Sequence, residues 1–289
     1  MTTILFDNVW KEYDERIVLE QVNLSLDDHE FLVIIGPSGV GKTTLLRLLL
    51  SQEVPTRGRI LIDGEPIAAE PTADRGVVFQ RYSVFPHKTV LENVMLGPQW
   101  AGSPILGRFF GARRRTLEAQ AMALLTRVGL GEHADKYPAQ LSGGQQQRLA
   151  LAQALIMKPK VLLLDEPFGA LDPGTRKSMH QLVSELWEEN RMTIVMVTHD
   201  LPEAFLLGTR VIAVDRPRKD PQAPERFGAT IVSDYEAKCR IVRESREFEA
   251  ERERVRLTLV SSTPTPASPI PCRPRAGAAS REGLNDVCL

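Results

Sequence analysis

Cysteine is scarce in this chain. The three that occur, Cys239, Cys272 and Cys288, all lie in its last quarter, so no disulfide can hold the preceding part together. That usage suits a reducing compartment. A basic excess is also missing: Lys and Arg number 36 against 37 Asp and Glu, a net charge of -1. A protein that lives on the electrostatics of a nucleic-acid backbone would show such an excess, so no nucleic-acid partner is expected. No run approaches the roughly 18 consecutive apolar residues that span a bilayer. Work at a membrane would therefore need a second chain to supply the spanning part. Met1-Thr2-Thr3-Ile4 opens no basic segment followed by an apolar stretch, which predicts no secretory signal. Internal repeats are absent too.

What remains is ordinary globular material, 43% hydrophobic and 25% charged over 289 residues. That is enough for one large α/β domain, alone or with an appendage. Phe31 to Ile35 is continuously apolar and β-branched, the pattern of a strand buried on both faces of a parallel sheet. It runs into a Gly-rich turn, then into the helical stretch Thr44 to Leu50. Val161 to Leu164 and Thr193 to Val197 read as two more such strands. Between them Met179, Leu182, Val183 and Leu186 fall at helical spacing. Strand–helix–strand order predicts a parallel sheet with right-handed crossovers.

Residues from about 89 to 151 are helix-rich and predict a helical subdomain inserted into that sheet domain, with Gly97 to Arg115 as a surface loop. The character changes again after about Asp215. Tyr235 to Arg256 holds 13 charged residues in 22, and the last 29 residues carry 5 of the 20 prolines. Residues 221–289 are accordingly expected to be a charged, Pro-rich, largely disordered extension to a 1–220 domain.

Gly36-Pro37-Ser38-Gly39-Val40-Gly41-Lys42-Thr43 matches the phosphate-binding pattern G-x-x-x-x-G-K-[ST]. Its glycines let backbone N–H groups turn inward around a phosphate chain, and the helix that follows, with Thr44 in its first turn, adds a favourable dipole. Lys42 can reach the β- and γ-phosphates, and the Thr43 hydroxyl can ligate Mg²⁺. Val161 to Leu164 ends in Asp165 and Glu166, an apolar strand delivering two carboxylates. Asp165 would hold Mg²⁺, and Glu166 would act as general base on a water. Those two elements alone leave any nucleoside triphosphatase or kinase open.

The separating feature is Leu141-Ser142-Gly143-Gly144-Gln145, then Gln146-Gln147-Arg148. Small residues at a helix start leave N–H groups and the Ser142 hydroxyl free to meet a second anion. LSGGQ is the signature of the ATP-binding cassette (ABC) family, which the chain resembles from about Ile4 to Asp215. The resemblance implies a P-loop triphosphatase fold: a RecA-like parallel core, an inserted helical subdomain and an N-terminal antiparallel β portion. It implies that Ser142, Gly143, Gly144 and Gln145 meet ATP held by the P-loop of an opposing subunit. It further assigns Gln80 to sensing Mg²⁺ and water, Ala170-Leu171-Asp172 to the dimer interface, and His199 to the γ-phosphate. An aromatic stacks on adenine in this family; Tyr13 stands at that place, with Trp10 close by. The segment from Phe79 to Val94 looks like the importer branch, and Asp215-Arg216-Pro217-Arg218 resembles motors for nitrate, sulfonate and taurine.

The implied protein is an Mg²⁺-dependent ATPase working as a homodimer, or a close heterodimer. It would attach to separate permease subunits at the cytoplasmic face of the membrane, fed by a solute-binding protein. A soluble ABC ATPase of DNA or ribosome metabolism, and an exporter motor, remain the alternatives.

Overall fold

The computed structural model describes residues 3–14, 16–79, 84–102, 109–218, 220 and 226–236. Two sheets share the chain. The first is four-stranded and antiparallel, ordered β2-β1-β4-β5, from β1 (Ile4–Tyr13), β2 (Arg16–Leu26), β4 (Arg57–Ile62) and β5 (Glu65–Pro66). The second is six-stranded, ordered β10-β9-β3-β8-β7-β6. It comprises β3 (Phe31–Ile35), β6 (Arg75–Val78), β7 (Val161–Asp165), β8 (Thr193–Thr198), β9 (Arg210–Asp215) and β10 (Thr230–Glu236). All of its neighbours run parallel except β10, which pairs antiparallel with β9. The parallel core is what the strand–helix–strand order predicts, and the antiparallel N-terminal sheet is what the family resemblance implies.

The central strands are apolar throughout because both their faces are covered. Phe31, Val33 and Ile35 point into one core with Leu162, Leu164, Ile194 and Met196. Their alternates Leu32 and Ile34 point into the other with Leu163, Val195 and Val197. The first core is closed by helices α2 (Val90–Gly102), α3 (Gly111–Arg127), α4 (Gly143–Leu155), α5 (Pro173–Asn190) and α6 (Leu201–Leu207). The second is closed by α1 (Lys42–Leu49) and the antiparallel sheet, through Phe6, Val9, Leu19 and Leu45.

The helical insertion occupies α2 to α4, and α4 continues to Leu155. The expected loop from Gly97 to Arg115 is a correction: Gly97–Gly102 closes α2 and Gly111–Arg115 opens α3, with residues 103–108 outside the described set. Arginine is a good helix former, and Leu117, Ala121 and Leu125 bury the face that anchors α3. Composition alone pointed the wrong way there.

Strand β10 lies inside the region read as an extension, where Ile231-Val232 alone could be read as a short edge strand. Asp234 grips Arg210 with two hydrogen bonds, at 2.7 and 2.6 Å. The same guanidinium donates to the Ser25 carbonyl at 2.6 Å. Ala229 adds a bridge to Leu19, so this segment ties the two sheets together. Residues 237–289, the bulk of the expected disordered tail, lie outside the described residues.

Candidate active site

In the order β3-β8-β7, three parallel strands deliver their C-terminal ends side by side. β3 leads into Gly36–Thr43, β8 into His199, and β7 into Asp165 and Glu166. Crevices at such strand ends are where open α/β sheets bind ligands. A cavity of about 750 Å³ lies there, lined by Tyr13, Asp14, Arg16, Val18, Ser38, Gly39, Gly41, Lys42, Thr43, Thr44 and Glu166.

The loop's shape follows from its residues. Gly41, with φ 123°, caps α1 in a conformation that L side chains rarely adopt, and a Cβ there would press on Leu19. Lys42 is only 5% exposed, and its ammonium donates to the carbonyls of Gly36 (2.7 Å) and Pro37 (3.0 Å). Burial holds that ammonium below the ordinary lysine range, although Glu166 and Asp165 pull it back up. A poorly hydrated cation held by loop carbonyls at the edge of the cavity is suited to a phosphate oxygen. Val40 has a different part: its side chain belongs to the core beneath the loop.

Thr43 donates its hydroxyl proton to Asp165 at 3.4 Å. Burial pushes the Asp165 carboxyl up, and that hydrogen bond partly offsets it. A hydroxyl beside a carboxylate, both hard oxygen donors, suits Mg²⁺, which typically takes one or two protein oxygens and completes its shell with phosphate and water. Gln80, the third expected metal contact, lies outside the described residues.

Glu166 has φ 46°, in the left-handed region, while its N–H is tied to the Val197 carbonyl at 2.9 Å. Such a backbone costs on the order of 1–3 kcal/mol and persists only where its surroundings enforce it. Its carboxylate meets His199 Nδ1 at 3.2 Å, so the two strand ends converge.

Of the two candidate aromatics, Tyr13 lines the cavity and Trp10 does not. The Trp10 ring lies under Arg57 instead. Tyr13 donates its hydroxyl to Glu53, and Lys11 sits over its ring at 4.8 Å from the centroid. Asp14, Arg16 and Val18 also line the cavity, and nothing in their residue types had marked them. Only their closeness to Tyr13 could have done so.

Ser142, Gly143, Gly144 and Gln145 are not among the lining residues. They start α4, where Ser142 and Gln145 cap each other: the Gln145 N–H donates to the Ser142 hydroxyl (3.3 Å) and the Ser142 N–H to the Gln145 side chain (2.9 Å). A Cβ on Gly144 would sit 2.3 Å from the Thr175 methyl, so the glycine lets α4 approach the start of α5. Asp172 caps α5 by accepting from the Thr175 N–H at 3.0 Å. Asn93, which sequence reasoning missed, is 1% exposed and donates to the carbonyls of Phe85, Lys88 and Thr89.

A family model described as ABC transporter matches residues 19–169. The aliphatic sulfonates import ATP-binding protein of Burkholderia ambifaria is 45% identical over 223 residues, covering 76% of this chain. The chain spans 64% of that relative's length. The glutamine transport ATP-binding protein of Escherichia coli K12 is 43% identical over 221 residues, 74% of this chain and 88% of its own. Among solved structures, an ATP-binding cassette in a dimeric post-hydrolysis state with ADP and Pi superposes with a TM-score of 0.63 at 32% identity. That match covers 82% of this chain and 99% of the other. With the P-loop, the strand-end carboxylates and the LSGGQ helix in place, the chain belongs to the ABC transporter family.

Proposed function

We propose that this protein is the ATP-hydrolysing motor subunit of an ABC importer. The observation that carries the proposal is the meeting of five side chains at three adjacent strand ends: Lys42, Thr43 and Glu166 line one cavity, and Asp165 and His199 contact Thr43 and Glu166 beside it. Tyr13 offers a ring for adenine, and the amides of Ser38 to Thr44 cradle the phosphates. Thr43 and Asp165 would hold Mg²⁺, which neutralises developing charge on phosphate oxygens. Glu166 accepts the proton of the attacking water, and His199 hydrogen-bonds the terminal phosphate while steadying Glu166.

The Ser142 helix start does not line the cavity, and in this reading a second copy, or a close homologue, completes each site with it. Two chains then sandwich two nucleotides head to tail. Closing and reopening of that dimer would move separate permease subunits. No helix among the described residues is long and apolar enough to cross a membrane, which fits a motor bound at the cytoplasmic face. The relatives' names, one for sulfonate import and one for glutamine transport, support import of a small organic solute handed over by a binding protein.

The experiment is steady-state ATPase activity of the purified chain with Mg²⁺, wild type against Glu166→Gln. Turnover should fall by roughly 10²–10⁴ with ATP affinity retained. Near-normal turnover of the variant would remove Glu166 from the chemistry.

A further inference from the structure

Glu203 is a buried carboxylate, 6% exposed, on α6 and outside the cavity. Both of its oxygens are engaged. Thr198 donates its hydroxyl to one at 2.6 Å, and His180 Nε2 meets the other at 2.8 Å. Burying a carboxylate is costly, and apolar residues fill such space more cheaply, so its neighbours show what it contributes.

Thr198 immediately precedes His199, and its hydroxyl also accepts from the Asp200 N–H at 3.1 Å. Asp200 in turn accepts from the Glu203 N–H at 3.1 Å. The backbone on both sides of His199 is therefore fastened to Glu203. The His199 ring itself is 61% exposed and has little packing to hold it. On the other side, His180 stands on α5 and meets the Phe168 ring edge-on, at 4.8 Å between centroids. Phe168 is 1% exposed and lies two residues beyond Glu166. The contacts close a ring: Glu166, Phe168, His180, Glu203, Thr198, His199, and back to Glu166 at 3.2 Å. Arg176, one turn before His180, donates to the Leu171 carbonyl at 3.1 Å and pairs with Asp200 at 3.6 Å. The ring is thus joined to the segment that leads into α5.

We propose that the His180–Glu203 pair is a brace that sets the separation of Glu166 and His199 and links it to the Leu171–Asp172 segment before α5. Both are positioning residues, since neither lines the cavity. The inference rests on the assignment of Glu166 and His199 to hydrolysis.

The test uses the full-length protein and four variants: His180→Leu, His180→Gln, Thr198→Val and Glu166→Gln. Steady-state kcat and KM for Mg-ATP, equilibrium ATP affinity and the urea midpoint are measured for each. His180→Leu and Thr198→Val should each lower kcat by about ten- to a hundredfold, the range expected for misplaced groups, with KM and ATP affinity within about twofold. His180→Gln, whose amide can still donate to Glu203, should recover most of the lost kcat. The proposal is overturned if both His180→Leu and Thr198→Val keep kcat within twofold of wild type. It is equally overturned if kcat falls only as far as the folded fraction does, or if Gln rescues no better than Leu. Glu166→Gln separates the two levels: normal turnover there sinks the underlying assignment. Lost turnover there with intact His180→Leu and Thr198→Val sinks the brace alone.

Discussion

Thr43 Oγ1 lies 3.4 Å from Asp165 Oδ1, bringing together residues 122 positions apart in the chain. The contact joins the end of the P-loop to the end of the carboxylate-bearing strand, and the proposed chemistry lies between them. Because burial raises Asp165 above its ordinary value, its charged form is disfavoured in the fold. For a carboxylate raised in this way the sign is fixed. The charge costs stability at pH values above its folded pKa, and the cost disappears as pH falls through that pKa toward the unfolded one.

Asp165→Asn should therefore melt at a temperature equal to or above wild type at neutral pH without nucleotide. Its Mg²⁺-dependent turnover should drop by at least about 10²-fold, as for loss of a metal-holding group. Calorimetry at pH 7.5 alongside an ATPase assay checks both; a lowered melting temperature would contradict the burial argument.

Tyr13 and Glu53 act as a unit, since the Glu53 carboxylate takes the Tyr13 hydroxyl while pairing with Lys11 at 3.3 Å and Arg47 at 3.4 Å. Tyr13→Ala should raise KM for ATP by about tenfold, the worth of one aromatic contact, with kcat little changed. Glu53→Ala should raise it by less, and Trp10→Ala should not move it. An equal effect from Trp10→Ala would mean that the wrong ring has been assigned.

Gly144 and Thr175 give a paired prediction. The clash of a Gly144→Ala methyl is with Thr175 Cγ2, an atom that serine lacks; the next nearest Thr175 atom lies at 3.6 Å. Gly144→Ala should cost about 1–3 kcal/mol by overpacking. Adding Thr175→Ser should recover most of that loss. Urea unfolding of both variants tests the coupling, and an uncorrected double variant would place the strain elsewhere.

Asp234→Ala removes the carboxylate that grips Arg210 and should destabilise the fold by about 1–2 kcal/mol, because the guanidinium is nearly buried. Hydrogen exchange should then rise along β10 before it does in β3 or β8. Unchanged protection across Thr230–Glu236 would mean that the strand does not depend on this ion pair.

Legibility in the sequence followed contiguity. A phosphate cradle needs successive amides, so Gly36 to Thr43 can be read as a string, and a buried strand ending in Asp165-Glu166 can be read the same way. The capped start at Ser142 was equally plain. His180 and Glu203 were not, because they lie 23 residues apart on two different helices, and only the tertiary fold brings them to 2.8 Å. Strand β10 was legible only as the short apolar pair Ile231-Val232, able to form an edge strand; its full length, paired to β9 and held by Arg210, was obscured by the charged and Pro-rich residues around it. Gly97 to Arg115 misled in the opposite direction, since Gly, Pro and exposed Arg look like loop although their backbone is largely helical where described.

The proposed ATP site is shared between two chains, and Glu166 limits its turnover. Sedimentation velocity of Glu166→Gln at saturating Mg-ATP, with Glu166→Gln/Ser142→Arg in parallel, reads that sharing as a change of mass. The single variant should sediment as a dimer, while the double variant should bind ATP yet remain a monomer. A single variant that stays monomeric with ATP bound, or a double variant that dimerises as well as the single, would contradict a shared site.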